Sequence, residues 1–297
     1  MGDLARELAT GQAVLTKLRI YASFVRVNHS VFALPFALVG ALLAARVTPL
    51  TLSRVGWIVG AMVTARSAAM GFNRLVDRRF DALNPRTAMR ELPRGVMSPL
   101  EASVFVGAAS CAFVFCAWNL GPLCFALSPV ALAIVFWYSL AKRVTWMTQF
   151  FLGLAMAVAP VGGWLAAGGG ISWEPVLLAV AIGSWVGGFD VLYACQDVEF
   201  DRAHGLRSIP VRFGIRGALG ISRLLHVVTI FTLAMLGVTA GLGAVYFGGV
   251  VLVAALLAYE QSLVSPHDLS QVKRAFDLNG YVGILYLVIT GIALYVE

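Results

Sequence analysis

The chain has 297 residues, 60% of them hydrophobic and only 12% charged, with a mean hydropathy of +0.85. That composition lies outside the range of soluble globular domains and excludes an enzyme or binding module that works free in water. The net charge of +7 would point to nucleic acid in a soluble protein. Here the basic residues follow the apolar segments, so the expected partner is a lipid bilayer and not nucleic acid.

The hydrocarbon core of a bilayer, about 30 Å thick, needs roughly 20 apolar residues per helix. Residues 1–23 mix Asp3, Arg6, Glu7, Lys17 and Arg19 without a continuous apolar run, and read as an interfacial amphipathic segment rather than a signal peptide. Nine candidate spans follow in order: 24–45, 55–75, 99–118, 122–140, 146–166, 173–195, 218–242, 243–263 and 276–296. The expected fold is an all-α polytopic membrane protein of a single domain, with the possibility of two diverged halves at about 24–140 and 141–297.

Lys and Arg concentrate in alternate loops: before the first span, from Arg78 to Arg94, at Lys142 and Arg143, from Arg202 to Arg216, and at Lys273 and Arg274. The positive-inside rule then predicts a plasma (inner) membrane protein with a cytoplasmic N-terminus and an outer C-terminus. Cys111, Cys116, Cys124 and Cys195 lie in or beside apolar spans with no Cys-x-x-Cys spacing, and are expected as small core residues. His204, His226 and His267 have no partners at metal spacing, and a structural or solvated role is expected of them.

The second span ends in "GFNRLVDRRFDALNPR" and the sixth in "GFDVLYACQDVEFDRAHGL". Steps of four and eight residues drift by about 40° and 80° on a helix, so Asn73, Asp77 and Asp81 share a face. A step of seven drifts by about 20°, which puts Asp190, Asp197 and Asp201 on one face too. Both clusters close a span that runs from outside to inside, so they fall at the same membrane face. A carboxylate deep in a membrane helix costs about 2.5 to 3.5 kcal/mol, and facing stripes of like charge add repulsion. Such acids are tolerable in a wet cavity with cations present. Oxygen-only donors in incomplete sets suit Mg²⁺ that keeps waters and binds substrate phosphate.

The two motifs resemble those of the UbiA superfamily of intramembrane aromatic prenyltransferases. Asn73, Asp77 and Asp81 match its Asn-x-x-x-Asp-x-x-x-Asp motif. Asp190, Tyr193, Asp197 and Asp201 match its Asp-x-x-Tyr-x-x-x-Asp-x-x-x-Asp motif. The loop "RTAMRELPRG" and the Tyr138-x-x-x-Lys142 pair are also similar to the family's, and the likeness runs from about Tyr21 to the end.

The resemblance implies nine helices around a central cavity, with a cytoplasmic cap made by the loops after spans 2 and 6. It also implies Mg²⁺-dependent transfer of a polyprenyl group from its diphosphate to an aromatic acid in quinone biosynthesis. In the roles it implies, Asp77, Asp81, Asp197 and Asp201 hold Mg²⁺ with Asn73 as neutral ligand or diphosphate donor. Tyr138, Lys142 and Arg66 bind diphosphate, and Arg90 and Arg94 of the cap loop either clamp it too or meet anionic lipid headgroups. Asp190 orients the acceptor or takes its proton, and Tyr193 meets the acceptor; Arg26 and Asn28, with His29, either meet the acceptor carboxylate or are ordinary interfacial residues. Arg66 could instead snorkel or pair with Asp190.

Family members that act on 4-hydroxybenzoate often carry an Asp-Lys-Pro type sequence entering span 1, where this chain has "RVNHSVFALPFA". Both a 4-hydroxybenzoate-like and a dihydroxynaphthoate-like acceptor therefore stay open. The rival from another class is a secondary transporter, whose acids mark an ion pathway. Transporter sites usually lie near the midplane, whereas these acids crowd one face.

Overall fold

The structure is a computed structural model and describes residues 16, 17, 19–25 and 33–296. Its elements are all helical among those residues. They run α1 (Leu34–Ala44), α2 (Leu52–Leu83), α3 (Pro99–Leu120), α4 (Pro122–Val144), α5 (Thr148–Ala166) and α6 (Glu174–Ala194). A 3₁₀ turn at Cys195–Asp197 leads to α7 (Val198–Ala203), followed by α8 (Ile209–Thr239), α9 (Ala244–Ser262) and α10 (Val272–Val296).

Eight of these are long and apolar enough to cross a membrane, counting α6 through α7 as one. The expected first span is described only in part. Its described helix is α1 alone, 11 residues long, and residues 26–32 lie outside the described part. With them go Arg26, Asn28 and His29, so the expected acceptor contacts of Arg26 and Asn28 lie outside the described residues. The expected interfacial segment is described only at 16, 17 and from 19 onward.

Helix starts follow local chemistry. The Thr51 hydroxyl accepts from the Arg54 N–H at 3.3 Å and the Ser98 hydroxyl from the Glu101 N–H at 3.1 Å, satisfying amides that have no partner within the helix. Proline stands in the first turn of α1, α3, α4, α6 and α8, where a missing N–H costs nothing. In α8 the backbone breaks at Gly214, with φ 70° and ψ 170°, a conformation that glycine reaches without steric cost.

The helix α1 is buried almost throughout and lies against α5. A Cβ on Gly40 would strike the Pro160 carbonyl, and one on Gly163 the Ala37 carbonyl, so this pair of glycines is what lets the two backbones touch. The close contact of Gly163 is therefore made within one chain.

The main core gathers Phe36 of α1, Trp185 of α6, Tyr246 of α9 and Tyr286 of α10, with α8 and α5 packed on either side of α6. The cysteines are all free, and Cys111 departs from expectation in facing outward from α3. His226 is buried, its Nδ1 at 3.0 Å from Gln261.

Two features of the helices position the acidic residues. The 32 residues of α2 extend roughly 48 Å at 1.5 Å per residue, well beyond the ~30 Å of hydrocarbon. The helix therefore carries Asp77 and Asp81 past the apolar part on an unbroken scaffold. The expected single helix through Asp190, Asp197 and Asp201 is instead interrupted by the 3₁₀ turn that contains Asp197. The tighter turn changes the angular step, and the three acids are not on one ideal helical face.

Candidate active site

Two cavities meet at one end of the bundle. The smaller, about 240 Å³, is polar and is lined by Asp77 and Asp81 of α2, Asp190 of α6, Asp197 and Asp201, together with Asn73. The larger, about 600 Å³, is apolar and extends between α2, α4, α5 and α6 as far as Leu120 and Cys124 near the α3–α4 turn. Asn73, Tyr138, Leu152 and Asp190 line both, which makes them the junction.

Each carboxylate in the polar cavity but two is held by a cation. Asp77, only 4% exposed, lies 2.9 Å from Lys142 Nζ and 2.7 Å from Arg143 Nη2. Asn73 Nδ2 donates to the same carboxylate at 3.3 Å. Asp81, 7% exposed, accepts both its bonds from Arg90 Nη1, at 2.8 and 2.9 Å. Asp197 takes a two-pronged bond from Arg86, with Nη2 at 2.6 Å and Nε at 3.3 Å. Asp190 and Asp201 have no ion-pair partner among the described residues.

The loop after α2 brings Arg86 and Arg90 to these acids. It is tied down by Thr87, whose hydroxyl donates to the Asp81 carbonyl at 3.0 Å, and by Glu91, which pairs with buried Arg74 of α2 at 2.6 Å. Glu91 also accepts from Ser23 Oγ at 2.5 Å. Partial burial works against the Arg86 charge, but Asp197, Tyr193 and Asp81 outweigh it and hold the guanidinium above its ordinary pKa. It is a cation at every working pH.

The structure thus brings Asn73, Asp77, Asp81, Asp190, Asp197, Asp201, Tyr138, Lys142 and Arg90 to one polar cavity. Tyr193 lines the apolar chamber, and its hydroxyl accepts from Arg86 Nη1 at 3.0 Å. Arg66 also lines the chamber, its Nε buried without a partner, and it does not pair with Asp190. Arg94 is exposed and lies outside the lining of either cavity. Arg86 and Arg143 are additions that the motif spacing did not single out. The nearest signal was their place among the basic residues that follow each acidic or aromatic helix end.

The donor set suits a hard divalent ion: carboxylates and the two amides of Asn73 and Asn84, with no thiol or imidazole. Among the described residues no three Asp, Glu, His or Cys side chains close around a single point. The protein therefore offers partial sets of ligands rather than a complete cage, which is how Mg²⁺ is commonly held beside a phosphate.

The model of the UbiA prenyltransferase family matches residues 33–287. The 4-hydroxybenzoate octaprenyltransferase of Vibrio campbellii is 32% identical over 226 residues, covering 75% of this chain and 78% of that protein. The corresponding enzyme of Vibrio cholerae is 31% identical over 271 residues, covering 90% and 94%. Among solved structures, the apo form of a UbiA homologue from Aeropyrum pernix superposes with a TM-score of 0.81 at 35% identity, covering 88% of this chain and 96% of that one. A UbiA homologue from Archaeoglobus fulgidus, bound to GPP and Mg²⁺, shares the fold with a TM-score of 0.70 at 19% identity, covering 94% of this chain and all of that one. With family model, sequence relatives and fold in agreement over most of its length, the chain belongs to the UbiA prenyltransferase family and is an integral membrane prenyltransferase.

Proposed function

We propose that the protein transfers a polyprenyl group from its diphosphate to an aromatic acid, 4-hydroxybenzoate or a dihydroxynaphthoate, in an Mg²⁺-dependent reaction of quinone biosynthesis. The observation that carries this reading is the junction: a polar cavity rich in acids and cations opens directly into an apolar chamber through Asn73, Tyr138 and Asp190. An allylic diphosphate has the same two-part character, and its reactive carbon is the atom where the parts join.

In this reading Asp77, Asp81, Asp197 and Asp201, with Asn73, hold Mg²⁺, which when bound neutralises the leaving diphosphate. Lys142, Arg90 and Tyr138 exchange carboxylate or solvent contacts for diphosphate oxygens. Arg66 and Arg94 are lesser contacts from the chamber and the loop. Arg86 and Arg143 add fixed positive charge where the leaving group develops its negative charge, the kind of electrostatic stabilisation that dominates many enzymes.

The C1–O bond breaks with its electron pair going to diphosphate. A ring carbon of the acceptor supplies the pair for the new C–C bond, and the proton on that carbon passes to the Asp190 carboxylate. Arg26 and Asn28, with Tyr193, meet the acceptor. The apolar chamber keeps water from the cation until the acceptor reaches it. The acidic and basic end faces the cytoplasm.

The test offers 4-hydroxybenzoate and a dihydroxynaphthoate in parallel to the purified protein in nanodiscs, with labelled polyprenyl diphosphate and either Mg²⁺ or EDTA. The reading expects one acceptor to be prenylated in Mg²⁺ and neither in EDTA. Prenylation that proceeds equally in EDTA would refute the metal role. Mg²⁺-dependent diphosphate release with neither acceptor prenylated would overturn both acceptors and leave the donor chemistry standing.

A further inference from the structure

The loop between α2 and α3 grips α2 with two consecutive residues of opposite charge. Arg90 Nη1 bonds both oxygens of Asp81, at 2.8 and 2.9 Å. Glu91 Oε2 accepts from Arg74 Nη1 at 2.6 Å. Arg74 and Asp81 are seven residues apart on α2, which puts them on nearly one face and about 10 Å apart along the axis. The two grips differ in their surroundings: Arg90 and Asp81 line the polar cavity, whereas Arg74 and Glu91 line neither cavity.

Glu91 is the fixed point of the loop. Arg74 is 4% exposed, and a buried guanidinium is costly without a carboxylate beside it. The other oxygen of Glu91, Oε1, accepts from Ser23 Oγ at 2.5 Å, so a third stretch of the chain holds it. Its backbone carbonyl accepts from the N–H of Val96 at 3.0 Å and of Met97 at 3.3 Å. Met97 is buried in a small core with Phe24, Val25 and Ala102, and the Arg74 guanidinium stands 5.9 Å from the Phe24 ring. Arg90 is not saturated in this way. One of its nitrogens makes both bonds to Asp81, and its Nε is buried without a partner.

Resting on the transfer reaction above, we propose that Glu91, held by Arg74 and the Ser23 hydroxyl, is a positioning residue for the prenyl diphosphate and acts through Arg90. When Arg90 turns from Asp81 to diphosphate oxygens, the loop gives up that grip on α2. The Glu91–Arg74 grip lies outside the cavity, keeps its partners, and holds the Arg90 backbone within reach. An anchor one residue away limits the freedom Arg90 must lose on binding, so its benefit falls on donor affinity rather than on the rate of bond breaking.

The test measures KM and kcat for prenyl diphosphate, and Kd for inorganic diphosphate, both with Mg²⁺ and the full-length protein in nanodiscs. Glu91→Gln, which keeps the shape and an acceptor for Ser23 but removes the charge, is predicted to raise KM and Kd by about 10-fold with kcat within about 2-fold of the wild type. Ser23→Ala, which removes one exposed contact, is predicted to raise both by about 3-fold. In an Arg90→Ala background, Glu91→Gln is predicted to add no further rise, since its effect passes through Arg90.

Glu91→Gln with a lowered Tm or kcat but unchanged KM and Kd would mark the pair as purely structural and overturn the proposal, as would an undiminished rise in the Arg90→Ala background. If Glu91→Gln does not fold, Ser23→Ala decides, and unchanged KM and Kd in that variant overturn the proposal. If the unmodified protein neither releases diphosphate nor forms prenylated product, the transfer reading is what fails, and the proposal falls with it.

Discussion

Asp77 carries the heaviest load in the polar cavity, since Lys142, Arg143 and Asn73 all converge on its two oxygens within 3.3 Å. Asp77→Asn would leave two cations facing a neutral amide, and we predict that transfer falls by about 10²- to 10³-fold while the protein still folds, as steady-state assay and detergent thermal melting would register. Arg86→Lys keeps the charge but loses the fork that grips Asp197, and is expected to raise the KM for prenyl diphosphate more than it lowers kcat. The acids were legible in the sequence because membrane helices seldom carry them. Their cationic partners were only half legible: Lys142 belonged to a spaced pair, but Arg143 is one residue on, about 100° around the helix. It reaches Asp77 only because α4 ends beside α2 and its side chain is long.

At the scale of helices, the 3.6-residue repeat correctly brought Asn73, Asp77 and Asp81 into one cavity, because α2 is continuous through them. The same reasoning assumed a continuous helix through Asp190, Asp197 and Asp201. No proline or glycine falls between Asp190 and Asp201 to mark the 3₁₀ turn, which arises where the chain bends toward α7. All three acids line the cavity nonetheless, since two of them follow the bend. The α1–α5 contact was equally hidden, because a glycine tells nothing of which backbone it will meet. We predict that Gly163→Val, which drives side-chain atoms into the Ala37 carbonyl, costs about 1–3 kcal/mol or prevents folding, read as a lowered Tm and yield. Gly162→Val, with open space at its Cβ, serves as the control.

For the whole molecule, hydropathy and charge were enough to predict a helical membrane bundle, and the motif pair predicted its family. The described residues hold eight long spans and the buried helix α1, with residues 26–32 of the expected first span outside them. The chamber was less legible still, because it is made by faces from several helices and no local pattern encodes their meeting. If the loop charges set the orientation, cysteine introduced at exposed Gly205 will be labelled by an impermeant maleimide only from the cytoplasmic side of sealed vesicles. Labelling from the outer side would reverse the topology.

The joining of metal-dependent leaving-group chemistry to an apolar chamber is tested most directly by diphosphate release from labelled prenyl diphosphate, with and without Mg²⁺, in the wild type and an Asp77→Asn, Asp197→Asn double variant. The account predicts Mg²⁺-dependent release by the wild type and a loss of about 10³-fold or more in the double variant. Release that survives both the double substitution and the removal of Mg²⁺ would contradict it.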